Sequence, residues 1–156
     1  RSRGLGDVYK RQGTVYRQTM FAEFELAMGK MAESGQALTA DALCQKYHAL
    51  NKLYFGPDMV SDDQIALEWA RIPHFFYNYY VFQYATGFSA AVAIANRILK
   101  EGAPAVADYK KFLSGGCSTD PISLLKIAGV DMSSPEPVNS ALALFGELVD
   151  EMEQLV

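Results

Sequence analysis

The sequence has few of the residues that usually bind metals or form disulfides. It contains two cysteines and two histidines in 156 residues. Cys44 and Cys117 lie far apart and form neither a disulfide framework nor a metal-binding pattern, which is typical of a protein from a reducing cytoplasm. Cys44 and His48 have a spacing at which two ligands share a helix face, but no further ligands lie nearby in the sequence. We therefore predict a cytoplasmic protein without a local metal site.

The sequence also lacks clustered positive charge and a signal peptide. Its formal net charge is −4, and its basic residues are scattered, which argues against a nucleic-acid partner. The run Ile72–Asn96 is uncharged and long enough to cross a bilayer. It contains histidine, asparagine, glutamine and several tyrosines, however, whose burial in lipid is costly. We therefore predict no membrane span.

The alternation typical of strands is absent as well, whereas helical periodicity and helix stops are frequent. Thr39 and Asp120 are suitable N-caps, and Gly56 is a suitable stop. The sequence predicts an all-α fold with one hydrophobic core. The predicted helices are Gly13–Ser34, Thr39–Phe55, Ile65–Ala70, Pro73–Lys100, Pro104–Leu113, Pro121–Gly129 and Pro135–Leu155.

The first twelve residues, Arg1–Gln12, differ in character from the rest of the chain. They contain four basic residues and one acidic residue and show no helical periodicity. We predict that they are a non-native leader, similar to translated adaptor or assembly sequence, that is disordered and contributes nothing to the fold. Without them the formal net charge is −7. Residues 13–156 are predicted to form the helical portion.

Aromatic residues surround His74 in the stretch Arg71–Lys100. If this stretch is one helix, His74, Tyr77 and Tyr84 lie on one stripe, and a second aromatic stripe lies nearly opposite. Such a helix is expected to be buried on most sides. Buried tyrosines need partners for their hydroxyls, so the cluster can be core or can direct several donors at one ligand.

Several segments carry a resemblance to a known family. The segment RIPHFFYNYYVFQYATGFSAA, Arg71–Ala91, resembles the helix that closes the active site in the oligoendopeptidase F family of zinc peptidases, within the thimet-oligopeptidase-like superfamily. Gly13–Glu25, Ile65–Arg71 and Gly129–Pro135 resemble its C-terminal region, and the resemblance covers essentially Gly13–Val156. It implies the multi-helix C-terminal part of a larger helical catalytic domain that hydrolyses short peptides.

The resemblance implies zinc in the full-length enzyme, yet the sequence lacks the usual zinc ligands. A zinc peptidase of this type needs two histidines, a carboxylate and a glutamate base, usually from a His-Glu-x-x-His helix. His48 and His74 belong to no such motif, and the family's zinc helix lies upstream of the part that matches Gly13. We expect a truncated, inactive chain that binds no zinc. Its expected partners are a short peptide and the missing N-terminal, zinc-binding part of the same enzyme.

The resemblance also implies roles for the residues around His74. Related oligopeptidases use a histidine and two tyrosines seven residues apart to bind the scissile carbonyl and the substrate backbone. His74, Tyr77 and Tyr84 match this pattern as catalytic and substrate-binding residues. Relatives have a longer, glycine-containing spacer between the histidine and the first tyrosine, so Tyr77 departs from the family's pattern. Tyr80, about 40° from the direction of Tyr84 on a helix, is the reserve candidate. Gly87 is expected to let the backbone approach the peptide.

The first predicted helix offers supporting residues rather than ligands. Glu23 and Glu25 point about 200° apart on a helix, so they do not form a metal-binding pair. Arg17 or one of these glutamates could instead support residues of the site. The sequence leaves that choice open.

One alternative class remains, a stand-alone helical interaction or dimerisation domain without catalysis. In that case the aromatic helix binds a partner, and exposed apolar surface could drive self-association. The sequence upstream of Gly13 distinguishes the two hypotheses. A His-Glu-x-x-His motif there identifies the enzyme, whereas a start codon near Gly13 favours the interaction domain.

Overall fold

The computed structural model describes Gly6, Val8 and residues 12–154, and these residues form helices and loops without any strand. The predicted all-α fold is confirmed. The chain forms two compact units, with residues 12–85 in the first and the chain from residue 86 onward in the second. The predicted leader Arg1–Gln12 lies outside the described residues except for Gly6, Val8 and Gln12, so its predicted disorder stays a prediction.

The first unit begins with two long helices. A π-helical segment, Gln12–Arg17, leads into helix α1, Gln18–Glu33, and helix α2 follows as Ala40–Phe55. The Thr39 hydroxyl accepts a hydrogen bond from the backbone N–H of Ala42 at 3.2 Å, so the predicted N-cap is confirmed. Helix α2 ends at Gly56, as predicted.

Two 3₁₀ helices, Asp63–Arg71 and Pro73–Phe76, continue the first unit. Asp62 caps the first of them by accepting the N–H of Ile65 at 2.9 Å. Trp69 packs against the hydrophobic core, and its indole N–H donates to the Cys44 sulfur at 3.4 Å. The predicted helix around Ile65–Ala70 is therefore present, but it is a 3₁₀ helix.

The predicted continuous helix Pro73–Lys100 is wrong. The backbone leaves the 3₁₀ helix after Phe76, and helix α3 begins only at Phe82 and runs to Glu101. Between them, Asn78 and Tyr79 have φ values of 51° and 60°. This left-handed conformation is unfavourable for residues with a Cβ, so contacts elsewhere must hold the turn.

The predicted burial of the aromatic segment on most sides is also wrong. Its exposed aromatic residues are Phe76, Tyr77, Tyr79, Tyr80, Phe82 and Tyr84. Phe75 is the exception, since it is buried and packs edge-on against Phe24 with ring centroids 5.2 Å apart. Phe24 also packs against the fully buried Tyr47 at 5.1 Å. The core therefore fixes the backbone next to His74.

The second unit contains most of α3 and three further helices. These are α4, Ala103–Ser114, α5, Pro121–Ile127, and α6, Glu136–Glu153. The Asp120 carboxylate caps α5 by accepting the N–H of Ser123 at 2.9 Å, as predicted. In the part of the chain that is described, none of the helices has the length and apolar character needed to cross a membrane.

Candidate active site

His74 lies among three of the tyrosines that the sequence singled out. The ring centroid of His74 is 5.7 Å from that of Tyr77, 6.0 Å from that of Tyr80 and 5.7 Å from that of Tyr84. The Tyr80 and Tyr84 rings are edge-on to each other at 5.5 Å. We call these four side chains the His74 cluster. The turn before α3, rather than one helical stripe, brings them together.

The His74 cluster lies at the surface of the first unit. The exposed fraction is 57% for Tyr77 and 38% for both Tyr80 and Tyr84. Buried core tyrosines would be largely covered, as Tyr47 is. The cluster therefore presents phenol groups where a ligand can reach them.

Tyr84 has an altered tendency to ionise. A hydrogen bond with Tyr80 raises the pKa of the Tyr84 phenol, and desolvation and the neighbouring tyrosines act in the same direction. An ordinary tyrosine already titrates near pH 10, so the Tyr84 hydroxyl keeps its proton at neutral pH. It can therefore act as a hydrogen-bond donor.

Helix α1 holds the turn that forms the cluster. The backbone N–H of Tyr79 donates to Oε1 of Glu25 at 2.7 Å, and Glu25 is buried. The Tyr79 ring also lies against Gly29, where a Cβ would be only 2.1 Å from the Tyr79 hydroxyl oxygen. Of the supporting residues that the sequence suggested on the first helix, Glu25 thus contacts the segment between His74 and Tyr84.

A second buried carboxylate, Glu68, lies close to the cluster. Its Oε1 accepts hydrogen bonds from Arg17 and from Arg71, the latter at 2.5 Å. Its Oε2 accepts the hydroxyl of Tyr47 at 2.6 Å. Burial and the bond to Glu68 raise the pKa of the Tyr47 phenol, so it stays a donor. These hydrogen bonds offset the free-energy cost of removing the Glu68 carboxylate from water.

The two arginines and two members of the cluster, His74 and Tyr84, line one surface pocket of about 470 Å³. Its lining includes Arg17, Phe21, Glu68, Arg71, His74 and Tyr84. Arg71 was not among the site residues predicted from the sequence, although it stands three residues before His74. The feature of the sequence that could have indicated Arg71 is a basic residue directly before an aromatic segment.

The remaining predicted site residue, Gly87, belongs to the second unit and to helix α3. Among the described residues, no heavy atom outside the adjacent residues and the backbone of the same helix lies within 4 Å of the position that a Cβ would take there. A side chain could therefore be accommodated at this position. Its expected role toward a peptide stays a prediction.

The described residues do not fit a zinc site. No group of three or more His, Cys, Asp or Glu side chains in this part of the chain is placed to hold a metal ion. A ring nitrogen of His48 lies 3.3 Å from the carbonyl oxygen of Ser61, and the Cys44 sulfur accepts from Trp69. We therefore assign no metal ligand among them.

The all-helical fold with its exposed histidine–tyrosine cluster is that of a known protein family. Residues 7–144 match Peptidase family M3, and the chain belongs to this family. The match overlaps the predicted leader from residue 7 onward. Within the family, the relatives that the chain resembles include oligoendopeptidases F, as the sequence predicted.

Three relatives illustrate the extent of the similarity. Oligopeptidase PepF of Bacillus subtilis (strain 168) is 58% identical over 145 residues, which cover 93% of this chain and 22% of the relative. Group B oligopeptidase PepB of Streptococcus agalactiae is 45% identical over 93% of the chain and 24% of the relative. The crystal structure of oligoendopeptidase-F from Enterococcus faecium matches with a TM-score of 0.93 and 44% identity, over 97% of this chain and 29% of that chain. The chain thus spans about a quarter of the length of these relatives.

Proposed function

We propose that this chain is the C-terminal part of an oligoendopeptidase that hydrolyses short peptides, and that the His74 cluster binds the scissile peptide bond. The supporting observation is the cluster itself. Three exposed phenols lie around the His74 imidazole, with ring centroids no more than 6.0 Å from that of His74. The chain that carries them is a member of Peptidase family M3. The resemblance to the oligoendopeptidase F family also implies this role for His74, Tyr77 and Tyr84, although relatives have a longer spacer before the first tyrosine.

The proposed chemistry is stabilisation of developing charge. Hydrolysis of a peptide bond moves negative charge onto the carbonyl oxygen, and a preorganised donor at that position contributes about 2.7–4 kcal/mol. Tyr84 is suited to this role because its exposed phenol lies beside His74, with ring centroids 5.7 Å apart, and a tyrosine phenol keeps its proton at neutral pH. His74 donates through a ring N–H. Tyr77, the most exposed of the three tyrosines, is assigned to the substrate backbone, and Tyr80 orients Tyr84.

The longer enzyme would use zinc, as the family resemblance implies. The metal ligands and the general base would then come from another part of the longer enzyme, which corresponds to the region of the relatives that this chain does not cover. The described residues offer no suitable group, so no step of the chemistry is assigned to a metal held by them. The contribution of this chain is to bind the peptide and to donate hydrogen bonds.

Two substitutions in the full-length enzyme test the assignment. Tyr84→Phe and His74→Ala should each lower kcat and kcat/KM together by roughly 10²–10³, because these donors act mainly in the transition state. Tyr84→Phe keeps the ring, so the thermal midpoint should stay at the wild-type value. Tyr109→Phe, which removes a hydroxyl in the second unit, is the matched control.

The opposite pattern would refute the proposal. If the cluster is only structural, both substitutions lower the thermal midpoint while the folded fraction keeps its wild-type specific activity. A rise in KM alone, with kcat unchanged, would assign these residues to uniform substrate binding rather than to catalysis.

A further inference from the structure

The pocket beside the His74 cluster contains two arginines that the proposed chemistry does not use. Arg17 and Arg71 line it together with His74 and Tyr84. Its volume of about 470 Å³ lies within the range of about 300–1,000 Å³ that is usual for small-molecule sites. The pocket is therefore large enough to hold a part of a ligand in addition to the group at His74.

The charges around this pocket do not cancel. Both guanidinium groups bind the same oxygen of Glu68, and Tyr47 occupies the other oxygen. Two cations therefore share one anion, which leaves one positive charge at the lining in a chain of formal net charge −4. One arginine would be enough to neutralise Glu68, so the second leaves an attraction for an anionic group.

The two arginines are also accessible to solvent, and their contacts with the protein orient their guanidinium groups. The exposed fraction of the side chain is 40% for Arg17 and 74% for Arg71, whereas that of Glu68 is 5%. The Arg17 guanidinium lies over the Phe21 ring, 5.1 Å from its centroid. Each guanidinium carries five N–H donors and uses one nitrogen to bind Glu68, so further donors remain for a ligand.

We propose that Arg17 and Arg71 form a subsite for a carboxylate of the bound peptide. The planar guanidinium group matches a carboxylate with two parallel hydrogen bonds. The inference rests on the proposed function, because the peptide at His74 and Tyr84 is the molecule that presents the carboxylate. The carboxylate belongs either to the peptide C-terminus or to an aspartate or glutamate side chain.

Binding measured without turnover tests this subsite on the full-length enzyme. Arginine Nε–H resonances of the enzyme labelled with ¹⁵N-arginine are followed while three probes are added: N-acetyl-dialanine, its amide, and N-acetyl-glutamyl-alanine amide. We expect at least one carboxylate probe to shift the Arg17 and Arg71 resonances and the dialanine amide to shift neither. A response to N-acetyl-dialanine identifies a terminal carboxylate, and a response to the glutamyl probe alone identifies a side chain.

Substitutions then distinguish a specific carboxylate subsite from a general attraction to positive charge on the chain. Arg71→Gln should weaken binding of the responsive carboxylate probe by about tenfold, because a charged hydrogen-bonding pair is lost. Arg71→Lys keeps the charge without the planar geometry and should be intermediate. Lys30→Gln removes one exposed positive charge on α1 and should leave the affinity unchanged. Unchanged amide and methyl spectra confirm that each variant is folded.

Several results would overturn the subsite. Equal shifts with the acid and amide probes, no shift with any probe, or equal weakening by Lys30→Gln and Arg71→Gln would each do so. Displacement of the probe by equimolar inorganic phosphate would show a general anion site and would refute recognition of a peptide carboxylate. Because no turnover is measured, these results are independent of the Tyr84→Phe and His74→Ala kinetics, which test the proposed function.

Discussion

Replacing Glu25 with leucine should disable the candidate site without altering any side chain of the His74 cluster. Glu25 is buried in α1 and accepts the backbone N–H of Tyr79 at 2.7 Å. Tyr79 and Asn78 have positive φ values, and they lie in the turn between His74 and Tyr84. The hydrogen bond to Glu25 therefore holds a backbone conformation that the residues themselves disfavour.

The expected fall in kcat/KM depends on two free-energy contributions of similar size, the backbone strain of the turn and the hydrogen bond that holds it. A non-glycine residue in the left-handed region costs about 1–3 kcal/mol. A hydrogen bond to a charged acceptor contributes about 1.5–3 kcal/mol. Loss of that bond should reduce the population of the turn by roughly 10- to 150-fold, if other conformations are then free to form. We expect kcat/KM of the full-length Glu25→Leu enzyme to fall by about that factor.

A graded series identifies the hydrogen bond as the cause. Glu25→Gln keeps an oxygen acceptor but loses the charge, so its kcat/KM should lie between those of Glu25→Leu and the wild type. Gly29→Ala should also lower kcat/KM, because a Cβ there would be 2.1 Å from the Tyr79 hydroxyl oxygen. Glu33→Leu, at the exposed end of the same helix, is the control.

Two results would contradict this role of Glu25. Wild-type kcat/KM in the folded fraction of Glu25→Leu would show that the turn does not position the cluster. If Glu25→Gln were as impaired as Glu25→Leu, the charge of the carboxylate rather than its bond to Tyr79 would be responsible. Thermal midpoints measured on the same samples separate either result from general unfolding.

The remaining predictions concern a helix cap and the metal. Asp120→Ala should lower the thermal midpoint by a few degrees at pH 7, while Asp58→Ala in an exposed loop should not. Hydrogen bonds from Ser123 lower the pKa of Asp120, so this stabilisation exists above the unfolded value near 3.9. It is lost as pH falls through the folded pKa, so the difference between wild type and variant should shrink below about pH 4. The chain alone should bind no stoichiometric zinc and cleave no peptide, because its sequence has no His-Glu-x-x-His motif. Zinc near one per chain by atomic absorption, together with hydrolysis, would contradict this.

Several helix ends could be predicted from the sequence because their determinants are local. Thr39 and Asp120 each accept a backbone N–H from a residue three positions later. Gly56 has a φ of 79°, which suits a helix stop without steric cost. Such contacts need no knowledge of the rest of the fold, so pattern and residue type were sufficient to place them.

The turn before α3 was missed because its determinants are distant. The hydrophobic pattern of the aromatic segment also fits one continuous helix, and nothing in the segment requires a break there. Glu25, which holds Tyr79, lies 54 residues earlier in the sequence. Asn78 was the one local signal, because asparagine tolerates the left-handed region better than most residues.

The predicted cluster nevertheless formed, by a different route. On one helix, Tyr80 would lie about 240° around the axis from His74 and would face away from it. In the structure the turn stacks Tyr80 on His74, with ring centroids 6.0 Å apart. The reserve candidate is thus a member of the cluster together with Tyr77 and Tyr84, and the sequence could not have decided this.

The segment Gln12–Glu33 supports two separate properties of the proposed site. Glu25 fixes the turn and hence the geometry of the His74 cluster, whereas Arg17 lines the pocket and shares Glu68 with Arg71, which leaves one positive charge there. The two contributions should therefore separate in kinetics on the full-length enzyme. A change at Glu25 alters the position of the donors and should slow every substrate alike. A change at Arg17 or Arg71 should instead discriminate between substrates with and without the carboxylate, because only those substrates use the charge.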